Sequence, residues 1–184
     1  EHMAKLISKT YGDALFEAAL DKQAVDSLLE EAGAVLEAFS QNPRLFELMT
    51  HPKILKEEKI EIIQTIFKGR VSDEMTGFLT IVVKKDRFGE IRDILEYFIS
   101  TVKEYKGIGV AFVTTPIELN TAQKEAVTAR LLESTGYREM EMHYQIDESL
   151  IGGMVIRIRD RVVDSSVATK LEELKRQLLK IQLA

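Results

Sequence analysis

Residues 146–179 read IDESLIGGMVIRIRDRVVDSSVATKLEELKRQLL. The two halves of this stretch follow different rules. Met154, Ile156 and Ile158 alternate with Val155, Arg157 and Arg159, the period of a strand with two unlike faces. Val167, Leu171, Leu174, Leu178 and Ile181 then recur at spacings of four and three, one stripe of an amphipathic helix. Asp164, Ser165 and Ser166 stand just ahead of that stripe, where side-chain oxygens can cap free N–H groups. Gly152-Gly153 leads into a strand rather than a helix N-terminus, so it cannot form a phosphate cradle and reads as a turn or bulge.

Composition bounds the rest. The chain has 184 residues, enough for one or two domains. At 45% hydrophobic and 30% charged it has an ordinary globular composition. A net charge of −5 argues against a nucleic-acid partner, which favours a basic footprint. With no cysteine there is neither disulfide nor thiolate chemistry. The longest apolar run, near Phe78 to Val83, is far short of the ~20 residues a membrane-spanning helix needs. Glu1-His2 ahead of Met3 reads as a leftover of expression, which puts the expected natural start at Met3. No signal or transit peptide is visible.

Residues 3–106 read as helices. Leu6, Ile7, Tyr11, Ala14, Leu15, Ala18 and Ala19 make a broad apolar face. Its width leaves two readings open: all of it enters a core, or the stripe Ile7, Tyr11, Ala14, Ala18 stays available. A second helix spans about 25–39. Asn42-Pro43 ends it and opens a third, since Pro suits a first helical turn. A fourth spans about 56–67, with Gly69 as its cap. The fifth, about 73–84, is apolar around nearly its whole circumference through Met75, Phe78, Leu79, Ile81, Val82 and Val83. Such a helix is either central core or a surface awaiting a partner. Gly77 inside it costs about 1 kcal/mol against Ala, which suggests a close approach there. A sixth runs from about Gly89 to Lys106, and the expected arrangement is a six-helix bundle.

Lys106-Gly107-Ile108-Gly109 marks the expected boundary, after which the pattern turns to strands. Residues 110–115 are β-branched and stop at Pro116. Asn120 with Gln123 forms a capping box for a helix that Gly136 ends. Met140, Met142, Tyr144 and Ile146 alternate with Glu139, Glu141, His143 and Gln145, a strand with one wet face. Residues 107–184 are therefore a small β-α-β-β-α domain, and the whole chain is α+β.

Catalytic constellations are missing. There is no HExxH, GxSxG or Walker lysine. Three scattered histidines supply no metal cluster. Glu57-Glu58 and Glu172-Glu173 are helical neighbours that point apart. Arg157 and Arg159 share one strand face and Arg161 follows, which raises nucleic-acid binding as the other class. The strand faces lack the stacking aromatics of single-strand readers.

What remains is a binding module, and a family resemblance narrows it. The run Asp147-Glu148-Ser149-Leu150-Ile151-Gly152-Gly153, then Ile156-Arg157-Ile158, Val162-Val163-Asp164-Ser165-Ser166-Val167, Leu171 and Leu174 closely resembles the C-terminal signature of the delta subunit of the F-type ATP synthase. The mitochondrial counterpart is the oligomycin sensitivity-conferring protein. Tyr11 through Phe16 and Asp86-Arg87-Phe88 through Phe98 extend the resemblance more loosely. Arg159 stands where the usual pattern has Gly, and Ser165 where Gly is frequent. Arg tolerates positive φ poorly.

The resemblance implies a non-catalytic stator subunit without cofactor or metal. It joins the catalytic head to the peripheral stalk against rotor torque. The N-terminal helix of an alpha subunit is expected in a groove between the first and fifth helices, on Ile7, Tyr11, Ala14, Ala18, Gly77, Phe78 and Ile81. The C-terminal ends of the stalk b subunits are expected on Gly152, Gly153, Leu171, Leu174 and Leu178. The implied place is peripheral, on the cytoplasmic face of a bacterial plasma membrane, with no direct insertion. A two-domain adaptor, or a nucleic-acid binder using Arg157, Arg159 and Arg161, is the alternative.

Overall fold

The computed structural model describes residues 1–159, 161–164, 176 and 178–180. The fold is α+β. Two compact units divide it, Glu1–Lys103 and Glu104–Ala184.

The first unit is helical: α1 (His2–Asp21), α2 (Val25–Gln41), α3 (Pro43–Thr50), α4 (Lys56–Phe67), α5 (Asp73–Lys84), a 3-10 turn at Phe88–Glu90, and most of α6 (Ile91–Tyr105). Each helix contributes its apolar stripe to one core, because only one face of each can leave water. Phe39 sits among Phe46, Phe67 and Phe88, with ring centroids 6.4, 5.9 and 5.4 Å away. These edge-on and tilted arrangements suit the ring quadrupoles. Phe98, Leu15, Leu28, Met49 and Ile63 are fully buried around them.

Two devices fix individual helices. Ser72 caps α5, its Oγ accepting from the Met75 N–H at 3.3 Å. Glu31 of α2 then holds the cap itself: its two oxygens accept from the Ser72 N–H at 2.8 Å and the Ser72 hydroxyl at 2.7 Å. The second device is Gly12 on α1. A Cβ there would lie 2.4 Å from Cδ1 of Tyr97 on α6, so only glycine admits the ring. The Tyr97 hydroxyl donates to Asp13 at 2.9 Å. The loose motif around Tyr11 through Phe16 thus has a packing reason.

The second unit holds β1 (Ile108–Thr115), α7 (Thr121–Thr135), β2 (Glu139–Ile146), β3 (Val155–Ile158) and β4 (Arg161–Asp164). The sheet order is β2-β1-β3-β4. β1 and β2 are parallel, which requires a crossover, and α7 provides it. β3 pairs antiparallel with both β1 and β4. The Asn120–Gln123 capping box is present on both sides, at 2.8 and 2.9 Å. Gly136 follows α7 with φ +76°. Ala111, Val113 and Thr115 are buried on one face of β1, while Phe112 between them is exposed.

Several expectations change. The expected β-α-β-β order lacks β4; residues 161–164 pair with β3, Asp164 opposite Val155, and the capping expected of Ser165 and Ser166 lies outside the described residues. The four residues are too few to show a period. The strand expected from Met154 begins at Val155, and β1 begins two residues earlier than expected, at Ile108. Gly89 and Glu90 belong to the 3-10 turn, and the α-helix starts at Ile91. The sequence boundary at Lys106-Gly107 and the unit division at Lys103–Glu104 differ by three residues, the latter falling in the last turn of α6. Gly152 and Gly153 both adopt positive φ, +65° and +72°, in the loop before β3. The expected last helix lies mainly outside the described residues, including Val167, Leu171, Leu174 and Ile181; Arg176 and Leu178 to Lys180 are helical.

Candidate functional site

In the first unit, the candidate residues fall at different depths. Ile7 and Phe78 are buried members of the helical core. Tyr11 packs against that core and is half-buried, as is Ala18; Ala14 is exposed. These α1 positions run along the margin between the buried face of the helix and solvent. On α5, Met75, Thr76, Phe78, Leu79, Val82 and Val83 are buried. Gly77 is exposed, and beyond its own stretch of helix no atom of the described residues lies within 4 Å of where its Cβ would be. The close approach suspected at Gly77 is therefore not made by the described residues. Ile81, one turn on, is 51% exposed. Small side chains at Gly77, Ala14 and Ala18 would let another helix come near, since interaxial distance follows side-chain size.

Both supporting helices are held firmly. Asp13 beside Tyr97 also accepts from Lys9 Nζ at 2.9 Å. The Lys9 hydrogen bond chiefly, with help from Tyr97, holds the Asp13 carboxyl below its ordinary range despite partial desolvation. The same pair pushes the Lys9 amine up. Leu6, placed by periodicity on the broad apolar face, is 57% exposed, and Leu55, which periodicity did not single out, is 62% exposed. Leu6 stands next to buried Ile7, and a hydropathy pattern gives a face without its depth.

In the second unit, a cavity of about 930 Å³ lies between α7 and one sheet face. Met154, Ile156 and Ile158 of the sheet side face Val127 and Leu131 of α7 across it. Its lining also includes Glu104, Tyr137, Arg130, Arg159 and Arg161. Gly152 and Gly153 lie in the loop leading to that sheet face. Leu178 is 60% exposed. Leu171 and Leu174 lie outside the described residues.

The arginines do not form one patch, contrary to the sequence reading. Arg157 lies on the outer sheet face, 4.5 Å from the Phe112 ring centroid. His143 stacks on Phe112 from the neighbouring strand at 4.9 Å and 17°. Phe112 is thus an exposed aromatic that the strand alternation did not single out. Its flanking strands place His143 on one side and Arg157 on the other, so the ring is packed by this chain's own side chains. Arg159 turns the other way. Its φ is +54°, a conformation costing about 1–2 kcal/mol for a residue with a Cβ. It opens the two-residue connection between Ile158 and Arg161, and a primed hairpin turn needs positive φ at that position. The side chain pairs with Glu104.

Among the described residues no group of three or more His, Asp or Glu could hold a metal. No described helix is long and apolar enough to cross a membrane. The geometry defines a class: a two-unit α+β protein, with exposed apolar helix positions in one unit and an apolar cleft in the other.

Comparison with known proteins makes the class specific. The family profile described as "ATP synthase delta (OSCP) subunit" matches residues 7–178. A chain named ATP synthase subunit delta from Lachnoclostridium phytofermentans is 51% identical over 98% of this chain and 100% of its own. Another of that name from Alkaliphilus oremlandii is 33% identical over 97% and 99%. A chain of the Toxoplasma gondii mitochondrial ATP synthase hexamer has the same fold, with TM-score 0.75 at 19% identity, over 94% of this chain and 97% of that one. The chain belongs to the ATP synthase delta (OSCP) subunit family. It is a non-catalytic stator component of an F-type ATP synthase, a membrane-associated complex.

Proposed function

We propose that this protein links the catalytic head to the peripheral stalk, so that the head is held still while the rotor turns during proton-driven ATP synthesis. The N-terminal domain, residues 3–106, receives the N-terminal helix of an alpha subunit. The C-terminal domain, residues 107–184, receives the C-terminal ends of the b subunits. The protein works at the cytoplasmic face of a bacterial plasma membrane, attached through these partners.

One observation carries the head-binding half. Gly77 has open space above it and Ile81 is half-exposed on a helix whose other large apolar side chains are buried. A helix laid there gains apolar contact at Ile81 and close backbone approach at Gly77. Tyr11, Ala14 and Ala18 of α1 are assigned the remaining contacts, and Ile7 and Phe78 support them from within the helical core. Recognition of this kind draws on a few apolar anchors, and losing one costs about 2–4 kcal/mol of binding. The stalk half is supported by the apolar cleft facing α7, with Gly152 and Gly153 in the adjoining loop, and by exposed Leu178. Leu171 and Leu174 complete that set.

The test uses the full chain in two assays: pull-down of a fragment from the C-terminal end of b, and titration with a peptide from the N-terminal end of alpha. Leu178→Asp should weaken the first and leave the second unchanged; Ala14→Asp should do the reverse. If either substitution weakened both or neither, the division of labour would be wrong.

A further inference from the structure

Glu104 occupies the last turn of α6 and belongs by its contacts to the second unit. Its Oε2 accepts a hydrogen bond from the Tyr137 hydroxyl at 3.0 Å. The same oxygen pairs with the Arg159 guanidinium. Tyr137 stands at the entry to β2, just after Gly136. Arg159 opens the turn between β3 and β4. One carboxylate therefore joins three segments far apart in sequence. The backbone reinforces the same place: the Gly107 carbonyl accepts from the Arg138 N–H at 2.8 Å.

Two features set these contacts apart from an incidental surface pair. Arg159 is held at φ +54°, and strain of this kind persists where surrounding structure over-determines it. Here the over-determining contact is Glu104. Burial first, then the bond to Glu104, pushes the Tyr137 hydroxyl above its ordinary pKa, so it stays a donor. Arg159 and Glu104 are each about half exposed, at 57% and 45%. A lone pair so exposed would contribute little, so the effect must come from the three-way arrangement.

We propose that Glu104 is a positioning residue, a clasp that fastens the last turn of α6, the entry to β2 and the β3–β4 turn into one body. All three segments belong to the second unit, so the clasp is internal to it and rests on geometry alone, independent of the stator reading.

The test is amide hydrogen exchange on the full chain, read at residues 100–109, 136–140 and 156–162. Glu104→Gln should speed exchange about tenfold in all three segments, with α1 to α5 unchanged. Arg159→Gly separates the readings. A glycine relieves the φ strain, so a turn residue with no further role would leave 100–109 unaltered and slow its own turn. The clasp predicts faster exchange at 100–109 instead. The double variant should be no faster there than Glu104→Gln alone. A Glu104→Gln effect confined to 100–109, or additive single effects, would overturn the proposal. Because no partner is present in the experiment, its failure would remove the clasp and leave the stator reading standing, while failed peptide binding would do the opposite.

Discussion

Gly12→Ala should destabilise the protein, although helix propensity alone says the opposite. Alanine in a helix interior is favoured over glycine by about 1 kcal/mol. At this position the new methyl would sit 2.4 Å from Cδ1 and 3.2 Å from Cε1 of Tyr97. Real Cβ atoms do not approach that closely, so the ring or α1 must move. Overpacking of this kind costs about 1–3 kcal/mol. If the ring swings aside, the 2.9 Å bond from its hydroxyl to Asp13 is lost as well. A hydrogen bond to a charged group contributes about 1.5–3 kcal/mol. With the hydrogen bond lost and the propensity gain subtracted, the net loss is about 1.5–5 kcal/mol. Urea denaturation followed by far-ultraviolet circular dichroism reads it directly, because the first unit supplies most of the helix. The companion variant Gly12→Ala with Tyr97→Leu should recover part of the loss by removing the ring. A Gly12→Ala protein as stable as the parent, or more stable, would refute the account of how α1 meets α6.

Three further outcomes follow from the same contacts. Ile81→Asp should leave the urea midpoint nearly unchanged, since the side chain is half-exposed, while alpha-peptide affinity falls at least tenfold, about 1.4 kcal/mol, in calorimetric titration. Glu31→Gln should lower stability by about 1–2 kcal/mol, because it weakens both bonds to Ser72 that fix the start of α5; differential scanning calorimetry would show the loss, and an unchanged melting temperature would remove that role. Asp13 has a depressed carboxyl pKa, so its contribution is present above the unfolded carboxylate value of about 3.9 and is lost as pH falls through the folded value. Stability of Asp13→Asn should therefore fall less steeply than the parent's below about pH 4, and parallel acid-denaturation curves would contradict this.

Much of the fold was legible because its signals are local. Leu28, Ala32, Val35 and Phe39 are spaced for one helix face, and all are buried. Asn120 and Gln123 have the residue types of a capping box, and both bonds form. The turn at Arg159 was harder. The residue is unsuited to the positive φ that the two-residue turn requires of it, and its reach to Glu104, 55 positions earlier in the chain, is invisible to local pattern. β4 escaped because four residues beside a turn carry no measurable period. Depth was the other missing quantity. Leu6 and Ile7 are neighbours of like hydropathy, yet one is exposed and one buried. Phe78 and Ile81 belong to the same apolar helix with the same contrast. Gly77 could be flagged as unusual from sequence, but only the folded chain leaves open space above it. The role of the family signature in residues 147–167 was accessible only through resemblance, since no spacing there encodes a partner.

Calorimetric titration of the full chain with a synthetic N-terminal helix of a cognate alpha subunit tests the central claim most directly. The account predicts saturable one-to-one binding that Ala14→Asp weakens at least tenfold while circular dichroism and the urea midpoint stay at parental values. A folded chain that shows no binding heat at any temperature, or binds the Ala14→Asp variant equally well, would contradict it and leave the exposed α1 and α5 positions without the assigned partner.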